Sequence, residues 1–314
     1  MNILITGGCG YVGSELVNKL LSKGHLITVI DAQWFGNPLK KHKNLKNLKI
    51  DIRNIDKIDL KNIDAIYHLA GIANDPSVEL NETLSWNINV LATRQLIEKA
   101  VKNKVKKFIY ASSGSVYGIK KEKKVTEELS LLPISIYNKT KMIAENVIFS
   151  FKNKIKIFNI RPATVCGLSS RMRFDVSVNM LTAQAIQKKK ITVFGGKQVR
   201  PNIHLKDLVN LYIFLLEKKI PTGTYNAGFE NMSIISLAKK ISKKTNSKII
   251  IKKSNDPRSY RLSSNKILRA GFKPRYNVSI AINEIVVALE NKKLKIKDDN
   301  FTVKWMLKKK LHLN

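Results

Sequence analysis

Between residues 6 and 13 the chain reads Thr6-Gly7-Gly8-Cys9-Gly10-Tyr11-Val12-Gly13, and Gly7, Gly10 and Gly13 fall three residues apart. An apolar run, Ile3 to Thr6, precedes this octet and an amphipathic segment, Tyr11 to Ser22, follows it. A strand that turns this sharply into a helix needs residues without side chains: one for the turn, one for close approach of a ligand, one for packing of helix on sheet. The amides at the start of such a helix form an anion site suited to a pyrophosphate. Glycines alone would be a weak signal, but Asp31 closes the next apolar run. A carboxylate there can accept hydrogen bonds from both hydroxyls of an adenosine ribose and would repel a 2′-phosphate, which favours NAD over NADP.

The rest of the first half alternates in the same way. Leu26 to Asp31, Leu48 to Asp51, Ala65 to Ala70, Phe108 to Ser112 and Ile155 to Arg161 read as buried strands, with helices over Leu80 to Lys102 and Ile134 to Phe151. The expected fold class is α/β: a Rossmann doubly wound parallel sheet over 1–165, with a smaller α/β substrate-binding domain over 166–314. Later segments are allowed to return to the sheet. In the second half helices are expected at Val176 to Lys189, Leu205 to Glu217, Ile234 to Lys244 and Ser279 to Glu290, with strands at Ile191 to Phe194 and Lys248 to Lys252.

Composition narrows the function classes. The formal charge is +34, yet only ten of the 57 basic residues are Arg, and the Lys are scattered. A reader of nucleic-acid backbones would cluster Arg with aromatics, so no specific nucleic-acid partner is expected. An AT-rich coding sequence accounts for an abundance of Lys, Asn and Ile. Two cysteines, Cys9 and Cys166, without metal-ligand spacing, exclude a disulfide scaffold and give no metal site. No apolar run approaches the roughly 18 residues of a membrane helix, and no leader precedes the first strand, so a cytoplasmic protein without a membrane partner is expected.

The chemistry is carried by Tyr137-Asn138-Lys139-Thr140-Lys141, a Y-x-x-x-K on a predicted helix. Spacing of four places phenol and ammonium on one face, one turn apart. A phenol near its usual pKa of about 10 is a poor base, and a neighbouring ammonium is expected to lower that value. A serine-rich loop, Ser112-Ser113-Gly114-Ser115-Val116-Tyr117-Gly118, ends the fifth strand.

These pieces together resemble the extended short-chain dehydrogenase/reductases, the NAD-dependent epimerase/dehydratase family. The resemblance implies cofactor contacts from Gly7, Gly10, Tyr11, Val12, Gly13 and Asp31, and from Asp51 and Ile52 at the adenine. It adds Leu69, Ala70 and Gly71 under the pyrophosphate and Asn89 as a mid-helix support. His68 reads as a core histidine. The serine loop resembles the S-[ST]-x-x-V-Y-G segment of nucleotide-sugar epimerases, which makes Ser113 catalytic with Tyr137 and Lys141, and Ser115 a second hydroxyl at the sugar. Tyr137 and Lys141 also touch the cofactor in that scheme. The acid pair with which sugar dehydratases follow their catalytic hydroxyl is replaced by Gly114 and Ser115, so dehydration is not expected.

In the second half the resemblance implies a nucleoside-diphosphate sugar held by Thr164, Asn179, Val193, Arg200 and Arg258, with the two arginines on the phosphates. It also implies a homodimer through the helices at 80–102 and 134–151, with Leu84, Ile88, Leu91 and Ile143 on the second face. The expected activity is epimerisation of the sugar at C4 through a 4-keto intermediate. The alternatives are a C4 dehydrogenase or 4-ketoreductase, for example on a GDP-heptose in surface-polysaccharide synthesis, and a non-catalytic nucleic-acid-binding protein on the same fold.

Overall fold

The computed structural model describes residues 1–254 and 259–313. Its centre is a seven-stranded sheet, every neighbouring pair parallel, in the order β3-β2-β1-β4-β5-β6-β10. The strands are β1 (Asn2–Thr6), β2 (Leu26–Asp31), β3 (Leu45–Lys49), β4 (Ala65–His68), β5 (Lys107–Ala111), β6 (Lys156–Pro162) and β10 (Gly223–Ala227). Strand order reverses between β1 and β4, and at such a switch point a crevice opens beyond the carboxyl ends of the strands.

Successive side chains leave a strand on opposite faces, and the core divides accordingly. Ile3, Ile5, Tyr67, Ile109 and Phe158 point to the face covered by α1 (Tyr11–Ser22). Leu4, Ile66, Phe108, Tyr110 and Ile157 point to the face carrying the central helices. These are α2 (Asp75–Val78), α3 (Glu82–Trp86), α4 (Ala92–Lys102) and α5 (Ile136–Phe149). Burying one such large apolar side chain stabilises by roughly 1.5–3 kcal/mol, so this two-sided pattern is what holds the sheet.

The segment expected as one helix from Leu80 is broken by a π turn, Asn87–Leu91, between α3 and α4. Leu84 and Ile88 are thereby spent on this chain's own core, while Leu91 stays exposed and Ile143 half-buried. Only part of the second apolar face is left for a partner. β3 begins three residues earlier than expected, which leaves Asp51 in the loop beyond it.

The second half contributes α6 (Ser177–Lys188), α7 (Leu205–Glu217), α8 (Ile234–Thr245), α9 (Asn265–Arg269), α10 (Val278–Glu290) and α11 (Thr302–Lys308). α7 packs beside α1 through Leu205, Leu208, Leu211, Tyr212 and Leu215. It then delivers the chain to β10, which pairs with β6 from Gly223↔Phe158 to Ala227↔Pro162. β7 (Thr164–Cys166), β9 (Val199–His204) and β11 (Glu230–Ser233) make a three-stranded sheet, and β8 (Lys190–Phe194) pairs with β12 (Lys248–Lys252). α6, α8 and α10 bury β8 in a separate apolar cluster. Among the described residues no helix is long and apolar enough to cross a membrane, and no cluster of His, Cys, Asp and Glu could hold a metal.

Candidate active site

A cavity of about 450 Å³ lies at the strand ends on both sides of the switch point. Its floor begins at the glycine turn. Gly7 has φ +73°, and a Cβ there would fall 2.6 Å from the Ala70 nitrogen; one on Gly13 would fall 2.2 Å from the Gly7 carbonyl oxygen. Both positions therefore require glycine. α1 starts at Gly10 with no capping side chain and no acidic residue in its first turn, so its first amides are left for a ligand. Gly7, Gly10, Tyr11, Val12 and Gly13 all line the cavity.

Asp31 lies at the end of β2 on the same wall, where the Cys9 and Gln33 amides donate to its two carboxylate oxygens at 2.9 and 2.7 Å. Burial raises its pKa above the usual value, with these two bonds opposing. Asp51 and Ile52 line the wall beyond, Asp51 gripped by Arg53 at 2.8 Å, and Leu69, Ala70 and Gly71 close the side after β4. This shape fits a dinucleotide: a glycine cradle that a Cβ would fill, free helix amides, and a carboxylate at the end of the next strand on the same wall.

Asn89 does not line the cavity. Its side chain accepts from the Ile72 amide at 2.9 Å and donates to the Ile72 carbonyl and the Thr140 hydroxyl, both at 3.1 Å. It ties the loop after β4 to α5 from within the π turn, a supporting place rather than a contact. His68 lies below it, fully buried between the hydroxyls of Thr6 and Thr93 at 2.7 Å each, and burial drives its pKa down to about 3. It is a neutral core histidine.

The chemical end of the cavity is built by β5 and α5. Ser113 caps a short 3₁₀ turn, Gly114–Tyr117, and its hydroxyl lies 2.7 Å from that of Ser115, which donates to Asn138 at 2.5 Å. The loop is fixed from beneath. Arg161 holds Glu145 in a buried ion pair and donates to the Tyr117 hydroxyl at 2.7 Å, and that hydroxyl donates to Asn226 on β10 at 2.8 Å. Tyr137 and Lys141 emerge one turn apart on α5, whose start is capped by Ser135. Ser113, Ser115, Tyr137 and Lys141 all face the cavity.

One electrostatic expectation is reversed. Burial holds the Tyr137 phenol above its ordinary pKa, opposed by a hydrogen bond from Ser113 and by the Arg173 guanidinium. Lys141 is instead turned to the Ala111 carbonyl at 2.9 Å, close to Gly71, and burial lowers its pKa to about 8 against the pull of Glu145. An ammonium whose pKa is lowered to about 8 and which is turned to a backbone carbonyl is a weaker prop for a phenolate than the spacing alone suggested.

The second-half candidates separate. Thr164 lines the cavity. Asn179 is fully buried and its amide is committed to Gly167, Tyr11 and Arg173, at 3.1, 3.0 and 2.9 Å. Val193 is packed inside the α6-α8-α10 cluster. Arg200 sits on β9, off the wall, and Arg258 falls outside the described residues. Meanwhile the cavity takes residues that sequence reading did not assign: Trp34 and Phe35 just after Asp31, Asp75, Arg171, Arg173, and Thr302 and Met306 from α11. Two aromatics directly after the β2 acid were a visible signal. Nothing local marks Thr302 or Met306, which arrive from nearly 300 residues away.

The NAD dependent epimerase/dehydratase family profile matches residues 3–228. An uncharacterised UDP-glucose epimerase of Bacillus subtilis (strain 168) is 34% identical over 255 residues, 76% of this chain and 80% of that protein. A UDP-glucose 4-epimerase of Lactobacillus helveticus is 29% identical over 275 residues, 77% and 82% of the two chains. Among solved structures, UDP-glucuronic acid 4-epimerase from Bacillus cereus, in complex with UDP-glucuronic acid and NAD, superposes with a TM-score of 0.82 at 26% identity, covering 93% of this chain and all of that one.

Proposed function

The chain belongs to the NAD-dependent epimerase/dehydratase family, and from that premise we propose that it inverts C4 of a UDP-sugar through a 4-keto intermediate. One observation carries the reading: Ser113, Tyr137 and Lys141 open onto the same cavity as the glycine turn and Asp31. UDP is favoured as the carrier because the relatives named above are UDP-sugar epimerases.

Gly7, Gly10 and Gly13 would cradle the dinucleotide diphosphate, Asp31 would take the adenosine ribose, and Leu69 to Gly71 would run beneath. Bound NAD supplies the hydride acceptor and, when oxidised, a positive charge in the cavity. The protein's own residues handle the proton. Tyr137 phenolate removes the proton from the sugar 4-hydroxyl, and Ser113 donates a hydrogen bond to the oxygen that is losing it. The Arg173 guanidinium and the Ser113 hydroxyl favour the phenolate, and Lys141, with a pKa of about 8, adds a mostly charged ammonium to the same cavity at neutral pH. A 4-keto sugar that stays in the cavity and turns over would present its other face for reduction, which completes the inversion.

The test uses UDP-glucose carrying deuterium at C4, with no added oxidant. Epimerisation keeps the label at C4 of both epimers over many turnovers, and NAD(H) is the nucleotide released on denaturing the protein. Deuterium appearing on the nicotinamide after a single turnover, with a 4-keto sugar set free, would overturn epimerisation in favour of a C4 dehydrogenase.

A further inference from the structure

We infer that Arg171 is a diphosphate ligand, closing over the adenosine half of the dinucleotide from the side opposite the glycine turn. This rests on the reading of NAD as cofactor.

Arg171 lines the cavity and is only 8% exposed. Its guanidinium lies 4.1 Å from the centre of the Phe35 ring, and one terminal nitrogen reaches the Asp299 carbonyl at a long 3.5 Å. Its Nε is buried and has no hydrogen-bond partner among the described residues. Burial, with the neighbouring Arg173, pulls its pKa down to about 10, which still leaves it charged at neutral pH. The nearby Asp175 does not neutralise it, being held by Arg173 through two bonds at 2.8 and 3.1 Å. A buried guanidinium whose Nε has no hydrogen-bond partner is costly, and the attraction of Asp175, Asp299 and Asp31 offsets that cost only in part, so the site still favours an added anion.

The position says which anion. The loop that carries Arg171 is fastened onto the start of α1. The Ser169 hydroxyl donates to the Tyr11 carbonyl at 2.7 Å, and the Ser170 amide and hydroxyl donate to Glu15 at 2.8 and 2.9 Å. The Tyr11 hydroxyl in turn donates to the Gly167 carbonyl at 2.7 Å. Arg171 is thus held over the helix end whose first amides are free, beside Phe35 and within electrostatic reach of Asp31. Helix dipole and guanidinium then address one diphosphate from two sides, and the planar fork can take two of its oxygens. The nucleotide sugar carries a diphosphate of the same chemistry, but Arg171 stacks on Phe35 and lies within electrostatic reach of Asp31, the acid that marks the adenosine end of the cavity.

Arg171→Met tests this, since methionine keeps much of the packing on Phe35 and removes the charge. NAD and ADP should bind about 30-fold more weakly or worse, the scale of a desolvated charged hydrogen bond, while adenosine and UDP-glucose bind as to wild type. Thermal melting should cross over. Without NAD the variant should melt above wild type, because an uncompensated buried charge is gone; saturated with NAD it should melt below. Arg171→Lys, which restores charge without the fork and guards against misfolding of the first variant, should fall between. Unchanged NAD affinity in both variants, or loss of UDP-glucose affinity with NAD binding intact, would overturn the inference. A wild-type protein that binds UDP-glucose but no NAD would instead sink the functional reading on which it rests.

Discussion

The two halves of the molecule treat sequence signals differently. In the first half, residues 1–165, every cofactor and catalytic candidate except Asn89 reaches the cavity, and Asn89 stands directly behind its wall. Of the described substrate candidates beyond residue 165 none does so: Asn179 and Val193 are buried elsewhere and Arg200 is one strand away, while Arg258 lies outside the described residues. Thr164 lies at the boundary. The difference is one of what holds each residue. Glycine turns and strand ends are fixed by backbone geometry, so position in the chain is position in the site. Substrate contacts are side chains on elements whose placement depends on long-range packing.

The sharpest way to break the contrast is at its legible end. Tyr137→Phe should retain fold, NAD and nucleotide sugar but lose three or more orders of magnitude in kcat, since only the proton acceptor is removed. Turnover within a few-fold of wild type would remove the centre of the first half's reading.

At the other end, Arg200 tests whether the second half is as opaque as it looks. β9 pairs with β7 so that Asn202 faces Thr164, and Arg200 lies two residues earlier on the same strand. We expect Arg200→Ala to weaken UDP-glucose binding by about 2–4 kcal/mol in titration calorimetry, the range for a desolvated phosphate contact, with NAD binding nearly intact. No change would mean that its motif serves the β9-β11 sheet alone.

A smaller effect sharpens the electrostatic picture. Lys141 is lowered from 10.5 to about 8 in the folded protein. Between those values the unfolded chain binds the proton and the folded chain does not, so stability must rise with pH across the window. Measured against Lys141→Met by denaturant titration, the cofactor-free wild type should gain up to about 3 kcal/mol from pH 8 to pH 10.5. A flat difference would place the ammonium in a better-solvated site than the Ala111 contact implies.

Much of the frame was legible. β1, α1, β2 and the Tyr137 helix follow from apolar period and glycine placement, and α7 runs over Leu205–Glu217 as its pattern implies. What escaped did so for identifiable reasons. β3 is an edge strand with a mixed face, so Leu45 and Leu48 do not fix its start. β10, Gly-Thr-Tyr-Asn-Ala, has too few apolar residues to announce a buried strand; its burial comes from lying between β6 and α9. The π turn at Asn87–Leu91 carries Asn89, which bonds sideways to Ile72, a contact no helical periodicity encodes. Thr302 and Met306 reach the cavity because Trp305 donates to the Trp34 carbonyl at 2.7 Å, and that docking is invisible to any local window.

β10 also sets an order of events during synthesis. The glycine turn, Tyr137 and Lys141 leave the ribosome early, and six strands of the sheet can assemble from residues 1–162. Until residue 227 has emerged, however, β6 is an open edge, with its backbone groups available to any other extended chain. The bond from Tyr117 to Asn226 is also missing until then, so the serine loop stays unclamped while the cofactor cradle is already in place. The glycine turn and Asp31 are therefore complete in the chain before the bond that clamps the catalytic loop can form. A chain ending before Gly223 would keep that raw edge permanently, and its expected fate is edge-to-edge association rather than a smaller working enzyme.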